Sequence, residues 1–96
     1  MRSYELMFIV HPEMDDTGVN EVVEKVKSWI ADSGGKVDKV DLWGKRRLAY
    51  PIQKQIEGQY VLFNAQMEPA FCPELEHNLG LQENVMRYLL TADEED

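Results

Sequence analysis

The chain has 96 residues, one cysteine and a formal net charge of −8 at pH 7. This length predicts one domain with one hydrophobic core, and 44% hydrophobic residues exclude a disordered chain. One cysteine excludes an internal disulfide, and no Cys/His cluster has metal-ligand spacing, so we expect no cofactor. The apolar run Leu6–Val10 is too short for a signal-peptide core or a membrane span. We therefore expect a cytoplasmic protein in a reducing compartment.

The first predicted elements are a strand over Ser3–Val10 and a helix over Asp16–Asp32. Toward its end the strand is apolar on both faces, which is typical of a central strand. The helix carries valine and isoleucine at helical spacing along one stripe. Asp15 is its expected N-cap, and two glycines follow its last turn.

The next two elements are predicted to form an antiparallel hairpin. A long strand over Lys36–Ile52, interrupted near Gly44, is followed by the polar turn Gln53–Gly58 and a strand over Gln59–Met67. A glycine within a strand-like run indicates a bulge or a close backbone approach. Pro51 cannot donate a ladder hydrogen bond, so it is expected at an edge or a strand end.

A second helix over Ala70–Gly80 and a last strand over Val85–Thr91 complete the chain. The order β-α-β-β-α-β is the split βαβ pattern, which places both helices on one face of a four-stranded antiparallel sheet. The first and third strands then lie in the middle. We expect one domain over residues 1–92 and a frayed acidic tail over residues 93–96. The expected core residues are Leu6, Phe8, Val26, Ile30, Phe63, Ala65, Leu75 and Leu79.

One basic segment stands out in this acidic chain. Leu42–Ile56, called the basic island below, holds four basic residues and no acidic one, so everything outside it sums to −12 (−8 minus +4). The island predicts an anionic partner that is met locally. Its cations either protect an edge strand from aggregation or contact RNA. Arginine is suited to RNA because its planar guanidinium binds phosphate in two places and can stack on bases.

The sheet face opposite the helices is predicted to be uncovered. It would carry a mixed apolar surface, and an uncovered patch of this kind often marks a binding site. The residues expected there are Met7, Ile9, Tyr60 and Leu62.

No residue pattern indicates catalysis. His11 ends a strand with no catalytic partner nearby in sequence, His77 lies on the polar side of the second helix, and Cys72 belongs to an apolar stripe. The chain has no Gly-rich phosphate loop, no nucleophile elbow and no metal motif. The sequence therefore predicts a binding protein rather than an enzyme.

The run Asp41–Ile52, DLWGKRRLAYPI, resembles the signature of the bacterial small-subunit ribosomal protein S6 family. This resemblance implies a ferredoxin-like α+β fold, binding to small-subunit ribosomal RNA, and a heterodimer with the basic ribosomal protein S18. A basic partner would offset the repulsion between RNA and a chain of net charge −8. Three further places resemble the family in the same order: Met1–Glu5, His11-Pro12 and Asn84–Arg87.

The resemblance implies that the basic island contacts RNA or the partner protein. The uncovered sheet face and the rim around Arg46 and Tyr50 are the expected interface with that partner. Arg2 and Arg87, on strands that neighbour each other in this fold, are expected to form a second RNA-facing pair. Arg46 and Arg47 are adjacent in a strand, so they start on opposite faces. One is expected to face RNA and the other the partner, and the sequence does not decide which. The expected RNA-binding residues are Arg2, Lys45, Arg46, Arg47, Lys54 and Arg87. The expected partner-binding residues are Met7, Ile9, Tyr50, Tyr60 and Leu62.

Two functions from other classes stay open at this point. An acylphosphatase-like hydrolase on the same fold would need an anion-cradling loop with a catalytic Arg and Asn. The segment Val10–Gly18 offers neither an arginine nor a Gly-rich cradle. A regulatory domain would dimerise through the open sheet, whereas the ribosomal interpretation predicts a monomer when the protein is isolated.

Overall fold

The computed structural model describes residues 1–93, and its elements follow the predicted order. Of the predicted frayed tail, Asp93 donates its backbone N–H to the Ser3 carbonyl (2.9 Å), and residues 94–96 lie outside the described residues. The strands are β1 (Arg2–Val10), β2 (Lys36–Ile52), β3 (Gln55–Met67) and β4 (Val85–Ala92). The helices are α1 (Asp16–Asp32) and α2 (Cys72–Gly80), the latter preceded by a 3-10 turn over Pro69–Phe71.

The four strands form one antiparallel sheet in the order β2-β3-β1-β4. The prediction that the first and third strands are central is confirmed. At the middle of β1, Leu6 pairs with Phe63 on one side and with Leu90 on the other. The result is the ferredoxin-like α+β arrangement, in which the chain's first strand joins the hairpin to the last strand.

The main core lies between the sheet and the two helices. One stripe of α1 and one of α2 pack against the same sheet residues, so both helices cover one face. Phe8 and Phe63 meet at the centre with ring centroids 5.7 Å apart. All predicted core residues are at most 2% exposed: Leu6, Phe8, Val26, Ile30, Phe63, Ala65, Leu75 and Leu79.

The ends of α1 form as the sequence indicates. The Asp15 carboxylate accepts a hydrogen bond from the Gly18 N–H (2.8 Å), which satisfies one of the free amides of the first turn. Gly34 has φ +89°, a left-handed conformation that suits glycine after a helix. Within residues 1–93, neither helix is long and apolar enough to cross a membrane.

The hairpin differs from the prediction at its tip. The turn is Gln53-Lys54 alone, with φ of 50° and 67°, and β3 already begins at Gln55. The predicted turn Gln53–Gly58 is therefore wrong. Gln55, Glu57 and Gly58 pair with β2, in a part of the hairpin that extends beyond its pairing with β1. The predicted interruption at Gly44 is confirmed, since the register shifts there and its φ is 76°.

A second interruption in β2 changes the shape of the open face. The register passes from Arg47 opposite Glu57 to Ile52 opposite Gln55, so residues 48–51 face a single residue of β3. We call residues 48–51 the strap. Its Leu48 is only 8% exposed and packs in a small second cluster with Ile9 and Met86 on the helix-free face. That face was predicted to be uncovered, and the chain's own strap covers part of it.

Candidate RNA and partner interface

The strap and the sheet enclose an apolar groove on the helix-free face. Its volume is about 170 Å³, and β1, β3, β4 and the strap all contribute to its walls. Leu62 lies directly beside it, because it pairs with Met7 across β1 and β3. The structure thus brings four of the five predicted partner-binding residues into one concave site and places the fifth at its rim. The four are Met7, Ile9, Tyr50 and Tyr60.

One contact ties the strap to the far edge of the sheet. The Arg87 guanidinium donates a hydrogen bond to the Tyr50 hydroxyl, and its carbon lies 5.5 Å from the centroid of the Tyr50 ring. Arg87 belongs to β4 and Tyr50 to the strap. This pair therefore closes one side of the groove and fixes the orientation of the Tyr50 ring.

A glycine in β3 permits the strap to approach. A Cβ at Gly58 would overlap Ile9 Cγ2 and would touch Leu48 Cδ2 at 3.5 Å. Because these two side chains pack across position 58, only a residue without a side chain fits beneath the strap. The second cluster thus depends on Gly58 as much as on its apolar members.

A stack of planar groups lies at the β2 edge of the same face. The Trp43 and Tyr60 rings are nearly parallel, with an interplanar angle of 13° and centroids 6.2 Å apart. The Arg46 guanidinium carbon lies 5.5 Å from the Trp43 ring centroid. Trp43 is the extra residue of the bulge at Gly44, and it remains 44% exposed. The stack is therefore prearranged and open to a ligand.

The two central arginines occupy opposite faces, as predicted. Arg46 pairs with Gly58 and so belongs to the face that carries the groove. Arg47 pairs with Glu57 and Lys45 with Gln59, on the parity of the helix-covered face. Both arginines are exposed. The hairpin therefore presents cations on both of its faces.

The remaining predicted RNA-binding cations are spread over the molecule. Lys54 is exposed in the hairpin turn. Arg2 pairs with Met67 at one end of β1, whereas Arg87 pairs with Ile9 near the other end. Seven residues of strand separate them, or about 23 Å, and they have opposite parity. The expectation that Arg2 and Arg87 form a pair is therefore wrong, because neighbouring antiparallel strands need not bring given residues to the same end.

Charges along β2 divide into two halves. In the first half, lysines are paired with aspartates two residues away, Lys36 with Asp38 (3.9 Å) and Lys39 with Asp41 (3.4 Å). In the second half, among residues 1–93, the cations of the basic island form no ion pair with a carboxylate. The island therefore keeps its positive charge available to an external anion.

The part of the chain that the structure describes contains no metal site, because no three metal-ligating side chains come together there. His11 has a turn role, since its ring Nδ1 accepts the Glu13 N–H (3.3 Å). Cys72 is half-buried beside the main core. Hydrogen bonding to Cys72 and desolvation raise the pKa of the Tyr4 hydroxyl above its ordinary value of 10.0.

Sequence reasoning missed three residues of the site. Trp43 is the centre of the planar stack, and Leu48 and Met86 form the second cluster with Ile9. An aromatic residue two positions before the basic run Lys45–Arg47 was a usable signal for Trp43. Leu48 and Met86 had no comparable signal, because their positions depend on bulges that the alternation pattern does not reveal.

The family model, the curated relatives and the solved structure that match this chain all indicate the same family. Residues 3–92 match the family model described as Ribosomal protein S6. The small ribosomal subunit protein bS6 of Moorella thermoacetica is 44% identical over 96 residues, covering 100% of this chain and 98% of the relative. The Cutibacterium acnes bS6 is 49% identical over 87 residues, which is 91% of each chain. The crystal structure of Thermotoga maritima 30S ribosomal protein S6 matches with TM-score 0.90 and 32% identity, over 96% of this chain and 87% of that one.

Proposed function

We propose that this chain, which belongs to the ribosomal protein S6 family, binds small-subunit ribosomal RNA as a heterodimer with ribosomal protein S18. As a member of that family it is a structural, non-enzymatic component of the small subunit of the cytoplasmic ribosome. The observation that carries the finer proposal is the adjacency of two unlike surfaces. The apolar groove and the basic island meet at Tyr60 and Arg46.

The groove suits a protein partner. Its lining combines aliphatic side chains with three tyrosines and an arginine, and tyrosine and arginine are enriched among the residues that contribute most to binding at interfaces. The Arg87–Tyr50 contact and the strap prearrange its walls, so a partner would find the site largely formed. We assign S18 to this groove, with Met7, Ile9, Tyr50, Tyr60 and Leu62 as contacts.

The basic island suits RNA phosphate. Arginine holds phosphate through two parallel hydrogen bonds, and the island's cations form no ion pair within residues 1–93 that phosphate would have to break. The rest of the chain sums to −12 (−8 minus +4), so RNA is repelled elsewhere on the surface. A basic partner seated on the groove would extend the positive surface that begins at Arg46.

Sedimentation tests the assignment to the ribosome. A tagged copy at native expression level is expected to co-sediment with small subunits and to leave them only in high salt or denaturant. A copy found wholly in the soluble fraction contradicts the proposal. The isolated chain is expected to be a monomer by light scattering, because its groove is proposed to bind S18 and not a second copy of the chain. A tight homodimer would support the regulatory alternative instead.

Separate alanine variants test the two surfaces. Arg46 faces the groove side and Arg47 the opposite side, so they are expected to have different roles. A variant that loses a phosphate contact weakens RNA binding by the heterodimer and lowers the salt slope by about one counterion. A variant that loses a partner contact weakens titration against S18 without RNA and leaves that slope unchanged. If Arg46→Ala and Arg47→Ala both behave like the parent, the island only protects the sheet edge.

A further inference from the structure

The planar stack of Trp43, Tyr60 and Arg46 has the features of a separate ligand-binding site. A tryptophan that is 44% exposed leaves a large apolar ring in water, although the main core lies only one strand away. The ring is nevertheless held in place, because it lies parallel to Tyr60 and beneath the Arg46 guanidinium. An exposed ring with a fixed orientation is suited to bind a flat partner.

The backbone at this point serves the stack. Leu42 pairs with Val61 and Gly44 with Tyr60, so Trp43 is the one extra residue of the bulge. Gly44 has φ 76°, a left-handed conformation that glycine adopts without steric cost. The bulge therefore presents Trp43 beside Tyr60 at the edge of the sheet, where no further strand among residues 1–93 covers it.

Charge selects the class of ligand. The stack lies within the basic island, whose cations form no ion pair with a carboxylate among residues 1–93. Aromatic rings next to unpaired cations are the features that bind single-stranded nucleic acid, where rings stack on bases and cations track phosphates. An acidic peptide would satisfy the charge but would leave the flat ring surface without a matching plane.

We propose that Trp43, supported by Tyr60 and Arg46, stacks one unpaired base of RNA. This inference deepens the proposed function and rests on it, because the RNA is the ribosomal RNA bound with S18. The base replaces the Arg46 guanidinium on the indole, and Arg46, which is itself exposed, turns to contact the neighbouring phosphate. Every base has a π-face, so the contact holds an unstacked nucleotide without reading its identity.

Fluorine NMR can observe this site directly. The chain has two tryptophans, so labelling with 5-fluorotryptophan gives two resonances, and the Trp29→Phe variant identifies them. Trp29 lies half-buried on α1, outside the island, and serves as the internal control. With the labelled chain bound to unlabelled S18, an oligouridylate is expected to shift the Trp43 resonance and leave Trp29 in place. An abasic oligomer of the same length and charge is expected to shift neither.

Variants then measure the contribution of the ring. Trp43→Ala is expected to weaken binding of the heterodimer to an rRNA fragment about tenfold, the loss typical of one stacked base. The salt slope is expected to stay unchanged, because no phosphate contact is removed. Trp43→Phe is expected to restore most of the affinity. An unchanged Trp29 resonance verifies that each variant is folded.

Three results would overturn the inference. The first is an abasic oligomer that shifts Trp43 as much as the oligouridylate does. The second is a Trp43→Ala heterodimer that binds the rRNA fragment as tightly as the parent. The third is a Trp43→Ala chain that loses affinity for S18 in the absence of RNA, which would assign the stack to the protein partner. Failure of the parent heterodimer to bind rRNA would instead refute the proposed function, so the two failures are distinguishable.

Discussion

Substitution of Leu48 by alanine tests whether the strap is packed as the structure shows. Leu48 is 8% exposed, and its matched control Leu42, the same residue type on the same strand, is 56% exposed. The fractions buried are 92% (100 minus 8) and 44% (100 minus 56). Leucine to alanine removes three carbon groups at roughly 0.8 kcal/mol each when fully buried.

Scaling by burial gives a cost of about 2 kcal/mol for Leu48→Ala and about 1 kcal/mol for Leu42→Ala. The lower strand propensity of alanine affects both variants equally and cancels in the comparison. The cavity contribution stays small at position 48, because the strap borders an open groove and can settle onto Ile9 and Met86. We therefore expect Leu48→Ala to be less stable than Leu42→Ala by about 1 kcal/mol, or a Tm difference of roughly 4–8 °C.

Urea unfolding followed by circular dichroism measures this difference. An equal slope m in the two variants shows that their denatured states are alike. A second readout links the strap to binding. Leu48→Ala is expected to weaken S18 binding, because Leu48 forms part of the groove wall, whereas Leu42→Ala is expected to leave it unchanged. If the two variants are equally stable, or if Leu42→Ala is the less stable, the strap does not rest on the sheet in solution.

Three further predictions follow from the core, a helix end and a titrating group. Leu75→Ala is expected to destabilise the chain by ~2–5 kcal/mol in urea melts, because Leu75 is 0% exposed between helix and sheet; a loss under about 0.5 kcal/mol would contradict this. Asp15→Ala is expected to lower the free energy of unfolding by about 1 kcal/mol through loss of the Gly18 hydrogen bond. Asp15→Asn is expected to retain most of the parent's stability, because its amide oxygen can accept the same bond. Cys72→Ala is expected to lower the raised pKa of Tyr4 toward 10.0 in a tyrosinate absorbance titration. Since that pKa is raised by folding, its stabilising contribution is complete below pH 10.0 and is lost as pH rises through the folded value.

The elements that the sequence predicted well are those encoded by local pattern. The bounds of α1 match because an Asp cap, an apolar stripe and two glycines mark its start, face and end. The central position of β1 was predictable because it is apolar on both sides. The core follows, since period and strand order together determine which side chains face the helices.

The elements that the sequence did not predict depend on where the register breaks. An alternating pattern through residues 47–52 looks like a regular strand, yet four strap residues face one residue of β3. The contact between Arg87 and Tyr50 was not foreseen, because it joins residues 37 apart across that irregularity. Likewise, Arg2 and Arg87 are on adjacent strands, but only the register shows that they lie at opposite ends.

The hairpin turn is a compromise between chain geometry and surface charge. Gln53 and Lys54 both have positive φ, a conformation for which Asn-Gly is the preferred pair in a two-residue hairpin loop. A side chain held there carries backbone strain that glycine does not. Replacing Lys54 with glycine would relieve the strain but would change the net charge from −8 to −9 (−8 minus 1) and remove the cation at the outermost point of the hairpin. Selection for thermal stability alone would therefore favour a turn with a weaker electrostatic attraction to a polyanion.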